Sequence, residues 1–375
     1  MIATVNPSDA GITGARHRLL VATPGRVSLS TPNAMSPDLN GSRADDLCAP
    51  RYRDFNCTEV VYRPATRAAL LSTLLVFVVV NLIGNATVIA SILYFRQLQT
   101  CTNALTLSLA CTDLLVGAVV MPLSATREAY TCWFYGHAAC RLHTWLDYSL
   151  TTSSIVHLAC VAADRSVAIG DPLRYRERVT PAAVALMVGL CWLSLAGYAL
   201  PLLAFWPTVM VPEPCPDNCN VEVNVEYAMA NTVCAYALPL SVMVVVYARI
   251  YVQARAQSRK IKAVAMPAAT AEESSSLSSW KAMRREHNAT FTLGTLGGVF
   301  VLCWVPYFIA SSAESFLDTD TAILLVDVAN WFTYVNSTIN PVLIVSLNRS
   351  FRGALKLVLS GRVFTRKCRE SDLLD

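Results

Sequence analysis

Charge is scarce in this chain. Of 375 residues only 15% are Asp, Glu, Lys or Arg, while 54% are hydrophobic and the mean hydropathy is +0.44. A soluble domain carries nearer a quarter charged residues, so this balance belongs to a membrane protein. No metal-ligand spacing stands out among the thirteen cysteines. The five histidines are scattered, and His137, His143 and His157 align with no nucleophile, which argues against an enzyme. The first 62 residues hold no signal-peptide core, so the first apolar run is expected to serve as the insertion signal. No repeated halves with broken helices suggest a transporter, and no filter or ring of pore charges suggests a channel.

What is present is a set of seven apolar runs, each long enough to cross a bilayer: about Ala68–Tyr94, Asn103–Ala129, Cys140–Ala168, Pro181–Phe205, Glu226–Val252, Thr290–Phe316 and Ala322–Leu347. The pattern predicts an all-α membrane protein, a seven-transmembrane helix bundle over residues 63–349. Before it, residues 1–62 read as a disordered tail; after it, 350–360 read as an amphipathic helix (FRGALKLVL) on the inner membrane surface, and 361–375 as a cytoplasmic tail. Cys368, flanked by Arg366, Lys367 and Arg369, is a candidate for palmitoylation.

Positive charge sets the orientation. One set of loops carries Arg96, Arg174, Arg176, Arg178, Arg249, Arg255, Arg259, Lys260, Lys281 and Arg352, while the opposite loops hold little beyond Arg127 and Arg141. The poor side is predicted to face outward, which makes the N-terminus extracellular in a multi-pass protein of the cell membrane. That side is also acidic, with Glu128, Glu213, Asp217, Glu222, Glu314 and Asp327, and a negative mouth concentrates cations. Asn40 and Asn56 are glycosylation acceptors on this side. Cys48, Cys57, Cys132, Cys140, Cys215 and Cys219 also fall there, where disulfides form.

The chain is organised around Cys140–Arg165. At 1.5 Å per residue, Asp147 lies about 10 Å below Cys140 and about 27 Å above Arg165. A carboxylate at that depth is costly and marks a functional site. Trp304, Tyr307 and Phe308 share one helical face, as do Asp327, Trp331 and Tyr334, and such rings suit a cation. Asp113, Asn85, Asn336, Ser337 and Asn340 are polar groups spread over three spans.

One marker in each span makes the chain resemble class A, rhodopsin-like G-protein-coupled receptors over about Arg67–Leu359: Asn85, Asp113, Asp164-Arg165, Trp192, Pro239 with Tyr247, Cys303-Trp304-Val305-Pro306, and Asn340-Pro341. Asp147, Trp331, Tyr334 and Met121–Ser124 resemble the aminergic group. Cys215, Cys219 and EHNATFTLG narrow the resemblance to trace-amine-associated receptors or a relative of them. No lysine in residues 321–347 could hold retinal.

The resemblance implies a receptor that takes a protonated small-molecule amine on Asp147, with no cofactor and no nucleic acid, and passes the signal to a heterotrimeric G protein while seated in lipid. Trp304, Tyr307, Phe308, Trp331 and Tyr334 would enclose the amine, with Tyr334 donating to Asp147. Asn231 and Thr232 stand where catecholamine receptors offer serines, which disfavours catechols. Asp327, with Glu128, Glu314 or Glu222, offers either a second cation site, hence a diamine or polyamine, or a set of mouth charges that steers any amine, a trace amine included.

The resemblance further implies a disulfide Cys140–Cys219, and Cys215 paired with Cys48 or Cys57. It makes the Asp113 network a water site with sodium as its one metal. It gives a resting lock of Asp164, Arg165 and Glu286, an active contact of Arg165 with Tyr247, and a pivot at Phe300 and Trp304. Ser166 and Ile344 depart from the class pattern where tyrosines are usual. The other readings are a serotonin- or histamine-type receptor, or a receptor-like chain with impaired signalling.

Overall fold

A computed structural model describes residues 62–171, 174–204, 219, 233, 237–265, 298–311, 313 and 319–360. The described residues are almost wholly helical, and every one of the apolar runs contains a helix. Helix α1 is Pro64–Tyr94, α2 is Cys101–Leu115 and α3 is Met121–Tyr130. Helix α4 is Gly136–Gly170, α5 the short Tyr175–Arg178, and α6 Pro181–Ala204. Helix α7 is Leu238–Ala265, α8 is Gly298–Ser311, α9 is Thr319–Leu347 and α10 is Arg349–Leu359.

Local chemistry sets these boundaries. Pro64 opens α1, where its missing N–H costs nothing. The Thr100 side chain caps α2 by accepting from the Asn103 N–H at 3.3 Å. Asn348 caps α10 by accepting from the Ser350 N–H at 3.0 Å. Between α2 and α3 the chain makes a π-helical turn, Val116–Val120. Pro122 explains it: a proline ring collides with the carbonyl four residues back, and widening the turn relieves the collision.

Helix α1 shows how the bundle is solvated. Leu74, Val78, Asn81, Asn85, Val88 and Ile92 are buried at helical spacing, while Val76, Val79, Val80 and Ile83 on the other side are exposed. Leu186, Leu190 and Leu193 form a similar exposed stripe on α6. Apolar stripes of this kind, repeated on several helices, suit contact with lipid tails.

Helix α4 is the central element. Its 35 residues make a rod of about 52 Å, longer than a hydrocarbon core of about 30 Å. It packs against α2, α6 and α7. Leu109, Ile155, Leu158, Met243, Phe300, Cys303 and Trp304 build one buried cluster around it. Val78, Val116, Val120, Met121, Leu150 and Tyr334 build another. Helices α1 and α9 approach so closely that a Cβ on Gly84 would lie 2.9 Å from Pro341 Cβ. Glycine is the residue that permits such contact inside a membrane. Helix α10 turns Phe351 and Ala354 onto Val88, Ile92, Phe95 and Leu98, and leaves Arg352 and Lys356 exposed.

Candidate ligand site and switch network

Asp147 sits inside the bundle on α4 and accepts hydrogen bonds from two hydroxyls. Tyr334 on α9 donates to Oδ2 at 2.7 Å, and Thr151, one turn inward, donates to Oδ1 at 3.4 Å. The Tyr334 oxygen in turn accepts from Asn330 Nδ2 at 2.9 Å. Ser124 on α3 lies 3.3 Å from the same oxygen and 3.0 Å from His143 Nε2. A continuous polar chain therefore runs from His143 through Ser124 and Tyr334 to Asp147. Among the described residues Asp147 has no ion-pair partner.

The rings fall into two groups. Trp331 meets Tyr334 edge-on at 5.2 Å. Trp304, Tyr307 and Phe308 contact one another at 6.0 to 6.1 Å, and Phe300 lies 5.8 Å beneath Trp304. Phe300 and Trp304 are fully packed in the α4-centred cluster, whereas Tyr307 and Phe308 are only half-buried at its edge.

Asp327 has a partner that the sequence did not suggest. Arg127 Nη2 on α3 lies 3.2 Å from Asp327 Oδ1 and 2.9 Å from Glu128 Oε1. Two acids expected to await a ligand cation thus already share a guanidinium. A lone arginine at a helix end reads as a loop charge, and only the packing of α3 on the bundle reveals otherwise.

The second polar centre is Asp113, with no exposure at all. Its Oδ1 accepts from Ser154 at 3.0 Å and Ser337 at 2.7 Å, and its Oδ2 accepts from Asn340 at 2.8 Å. Asn85 Nδ2 donates to the backbone oxygens of Asn81 at 3.0 Å and Ser337 at 3.3 Å, and Asn336 is buried nearby in the sequence. Ser154 was missed in the sequence, although it lies seven residues from Asp147 and so on the same face of α4. His157 also has a use. Its Nε2 lies 2.8 Å from Ser108 Oγ, which accepts from the Trp192 indole at 3.0 Å, and its Nδ1 lies 2.7 Å from the Ser153 carbonyl. The carbonyl fixes the proton on Nδ1, and the network ties α2, α4 and α6 together.

At the opposite end of α4, Asp164 is buried and holds Arg165 Nε at 3.3 Å. Tyr175 on α5 donates to Asp164 Oδ1 at 2.8 Å and lies 2.7 Å from Thr102 Oγ1. Tyr247 packs at the margin of two buried clusters, and Ile344 packs against the cluster that receives α10. Cys140 and Cys219 are joined by a disulfide across 79 residues. Cys132 is also disulfide-bonded. Asn231, Thr232, Glu286, Cys215, Cys48, Cys57, Asn40 and Asn56 lie outside the described residues.

A bundle of long helices with apolar outer stripes, one acid under its mouth and a paired Asp-Arg at its other end, has the build of a membrane receptor. The family model described as the 7 transmembrane receptor (rhodopsin family) matches residues 84–343, and the chain belongs to that family. It is similar to trace amine-associated receptor 365 of Petromyzon marinus, with 45% identity over 88% of this chain and 90% of that protein. It is also similar to trace amine-associated receptor 13c of Danio rerio (35%, over 87% and 96%) and trace amine-associated receptor 9 of Mus musculus (33%, over 88% and 95%). The protein is therefore a multi-pass membrane receptor that couples to a heterotrimeric G protein, and not an enzyme.

Proposed function

We propose that this receptor detects a protonated amine, anchored by Asp147. One observation carries the reading: a carboxylate inside the bundle is hydrogen-bonded by hydroxyls yet forms no ion pair among the described residues. A buried charge of this kind is stabilised by an opposite one, and an ammonium ion supplies it. The Tyr334 hydroxyl holds the carboxylate's orientation, and Trp331 and Tyr334 stand beside it as rings with negative faces. Tyr307 and Phe308 would close the pocket above Trp304, with Asn231 and Thr232 across it. The names of the relatives, trace amine-associated receptors, point to the same ligand class.

Amine binding near Asp147 would act on the layer beneath, through Trp304 and Phe300. Asp113 would hold a sodium ion in the resting state. Its carboxylate and the Ser154 and Ser337 hydroxyls are hard oxygen donors from three helices, which fit such a cation. Arg165, with Asp164 and Glu286, would face the G protein, and Tyr247 would meet it in the active state. The basic loops favour the cytosol for this end, which would leave the N-terminal tail, Asn40 and Asn56 outside, α10 along the inner leaflet and 361–375 beyond it. Cys215 would tether Cys48 or Cys57 of the tail across the mouth.

The test is cyclic-AMP output from cells expressing the chain, challenged with monoamines, diamines and polyamines, beside Asp147→Ala. A response lost in the variant supports the reading. A response of equal potency in the variant removes Asp147 as the anchor.

A further inference from the structure

Two polar rungs join the outer halves of α3 and α9. The inner rung is Ser124 with Tyr334, at 3.3 Å. The outer rung is Arg127 with Asp327, at 3.2 Å, one turn further along α3 and two turns further along α9. The same guanidinium nitrogen donates to Glu128 at 2.9 Å. The three side chains are only 17%, 25% and 15% exposed. Charges so placed are screened less than those on an open surface.

Arg127 is therefore a cation supplied by the chain itself, resting on two partly buried acids, Glu128 at the end of α3 and Asp327 on α9. We infer that Arg127 sets the charge class of the ligand: by occupying Asp327 and Glu128 it tunes the pocket to an amine with a single ammonium group and turns away a second. The inference rests on the reading of Asp147 as the amine anchor and deepens it.

The geometry supplies the reason. Asp327 precedes Tyr334, the partner of Asp147, by seven residues, or about 10 Å along the helix. A diamine anchored on Asp147 would bring its far ammonium to that level. There it would have to displace a guanidinium that is covalently tethered, and so is present at high effective concentration. Guanidinium also matches carboxylates with a rigid fork of donors, which a single ammonium lacks. Without Arg127, two partly buried carboxylates would lose their shared partner, and the far ammonium of a diamine would be the group to replace it.

The experiment uses the full-length receptor, purified in detergent, and two ligands of equal length, 1-aminooctane and 1,8-diaminooctane. The shift of the thermal unfolding midpoint with ligand concentration gives an apparent affinity for each without requiring agonism. In the unaltered receptor the monoamine is expected to bind at least as well as the diamine. In Arg127→Gln the diamine-to-monoamine affinity ratio should rise tenfold or more. Arg127→Lys, which keeps a cation, should stay within a few-fold of the unaltered ratio. Adding Asp327→Asn and Glu128→Gln to Arg127→Gln should abolish the gain.

An unchanged ratio in Arg127→Gln overturns the inference, as does a tenfold diamine preference in the unaltered receptor. If Arg127→Gln does not fold, Arg127→Met, which also removes the charge and leaves both acids in place, carries the same comparison and should raise the ratio as much; no rise overturns the inference. Asp147→Ala separates the two levels. Loss of both ligands in that variant upholds the anchor whatever the ratio does, and retention of both removes the anchor. No shift from either amine in any variant overturns both.

Discussion

Tyr175 donates its hydroxyl to Asp164 at 2.8 Å, across the junction between the short helix α5 and the end of α4. Asp164 in turn holds Arg165 at 3.3 Å. Burial pushes the Tyr175 phenol above its ordinary value, so it stays a protonated donor. Tyr175→Phe removes one of two constraints on Asp164 and loosens its hold on Arg165. A hydrogen bond to a charged group contributes about 1.5–3 kcal/mol. If about 1 kcal/mol of that favours the resting state, basal signalling should rise about fivefold. Ligand-free second-messenger output, normalised to surface expression, measures it; an unchanged baseline would show that Tyr175 only packs.

Tyr334→Phe keeps the ring against Trp331 and deletes the hydroxyl that Asp147 accepts. Asp147 would then lose its shortest hydrogen bond and keep the longer one from Thr151. Agonist potency should fall about tenfold or more, on the scale of one charge-assisted hydrogen bond, with surface expression preserved. The loss should be smaller than in Asp147→Ala. Concentration–response curves for the two variants side by side give the comparison.

Asp113→Asn turns one acceptor into a donor where Ser154, Ser337 and Asn340 all donate. The mismatch leaves a buried donor facing a donor and should cost roughly 1–3 kcal/mol of stability. It should also remove the effect of sodium on agonist affinity. Affinity measured in sodium chloride and in an organic-cation chloride of equal strength should differ in the unaltered receptor and coincide in the variant.

Gly117 lies in the π turn, and a Cβ there would fall 2.1 Å from Asn81 Oδ1. Asn81 is fully buried, so its side chain has little room to withdraw. Gly117→Ala should lower stability by about 1–3 kcal/mol, the usual cost of overpacking. The thermal midpoint should fall, and Asn81→Ala in the same chain should restore part of it.

The sequence displayed the helices and the deepest polar residues, because both are properties of single stretches. A run of apolar residues long enough to span identifies itself, and Asp147, Asp113 and Asp164 stand out because acids inside such runs are rare. The pairing of Asp147 with Tyr334 followed from resemblance, since nothing in either stretch alone specifies their 2.7 Å contact. Arg127, Tyr175 and Ser154 were not legible. Arg127 looked like a loop charge, Tyr175 like an ordinary residue of a basic loop, and Ser154 like one of several hydroxyls on α4. Each acquires its role from a partner on another helix. His157 was set aside because it matched no catalytic pattern, while its use is to join Ser108 and Ser153 inside the bundle.

The π turn at Val116–Val120 acts as a phase shifter. Each α-helical residue advances the side-chain direction by about 100°. A turn with one extra residue therefore rotates everything beyond it by about that angle. Ser124 and Arg127 both lie beyond it, and both point at α9. Deleting one residue from the turn would leave the composition of α3 untouched and still swing both side chains away from Tyr334 and Asp327. The angular setting of α3, and with it the aim of Ser124 and Arg127 at α9, depends on a single residue more than a regular helix would contain.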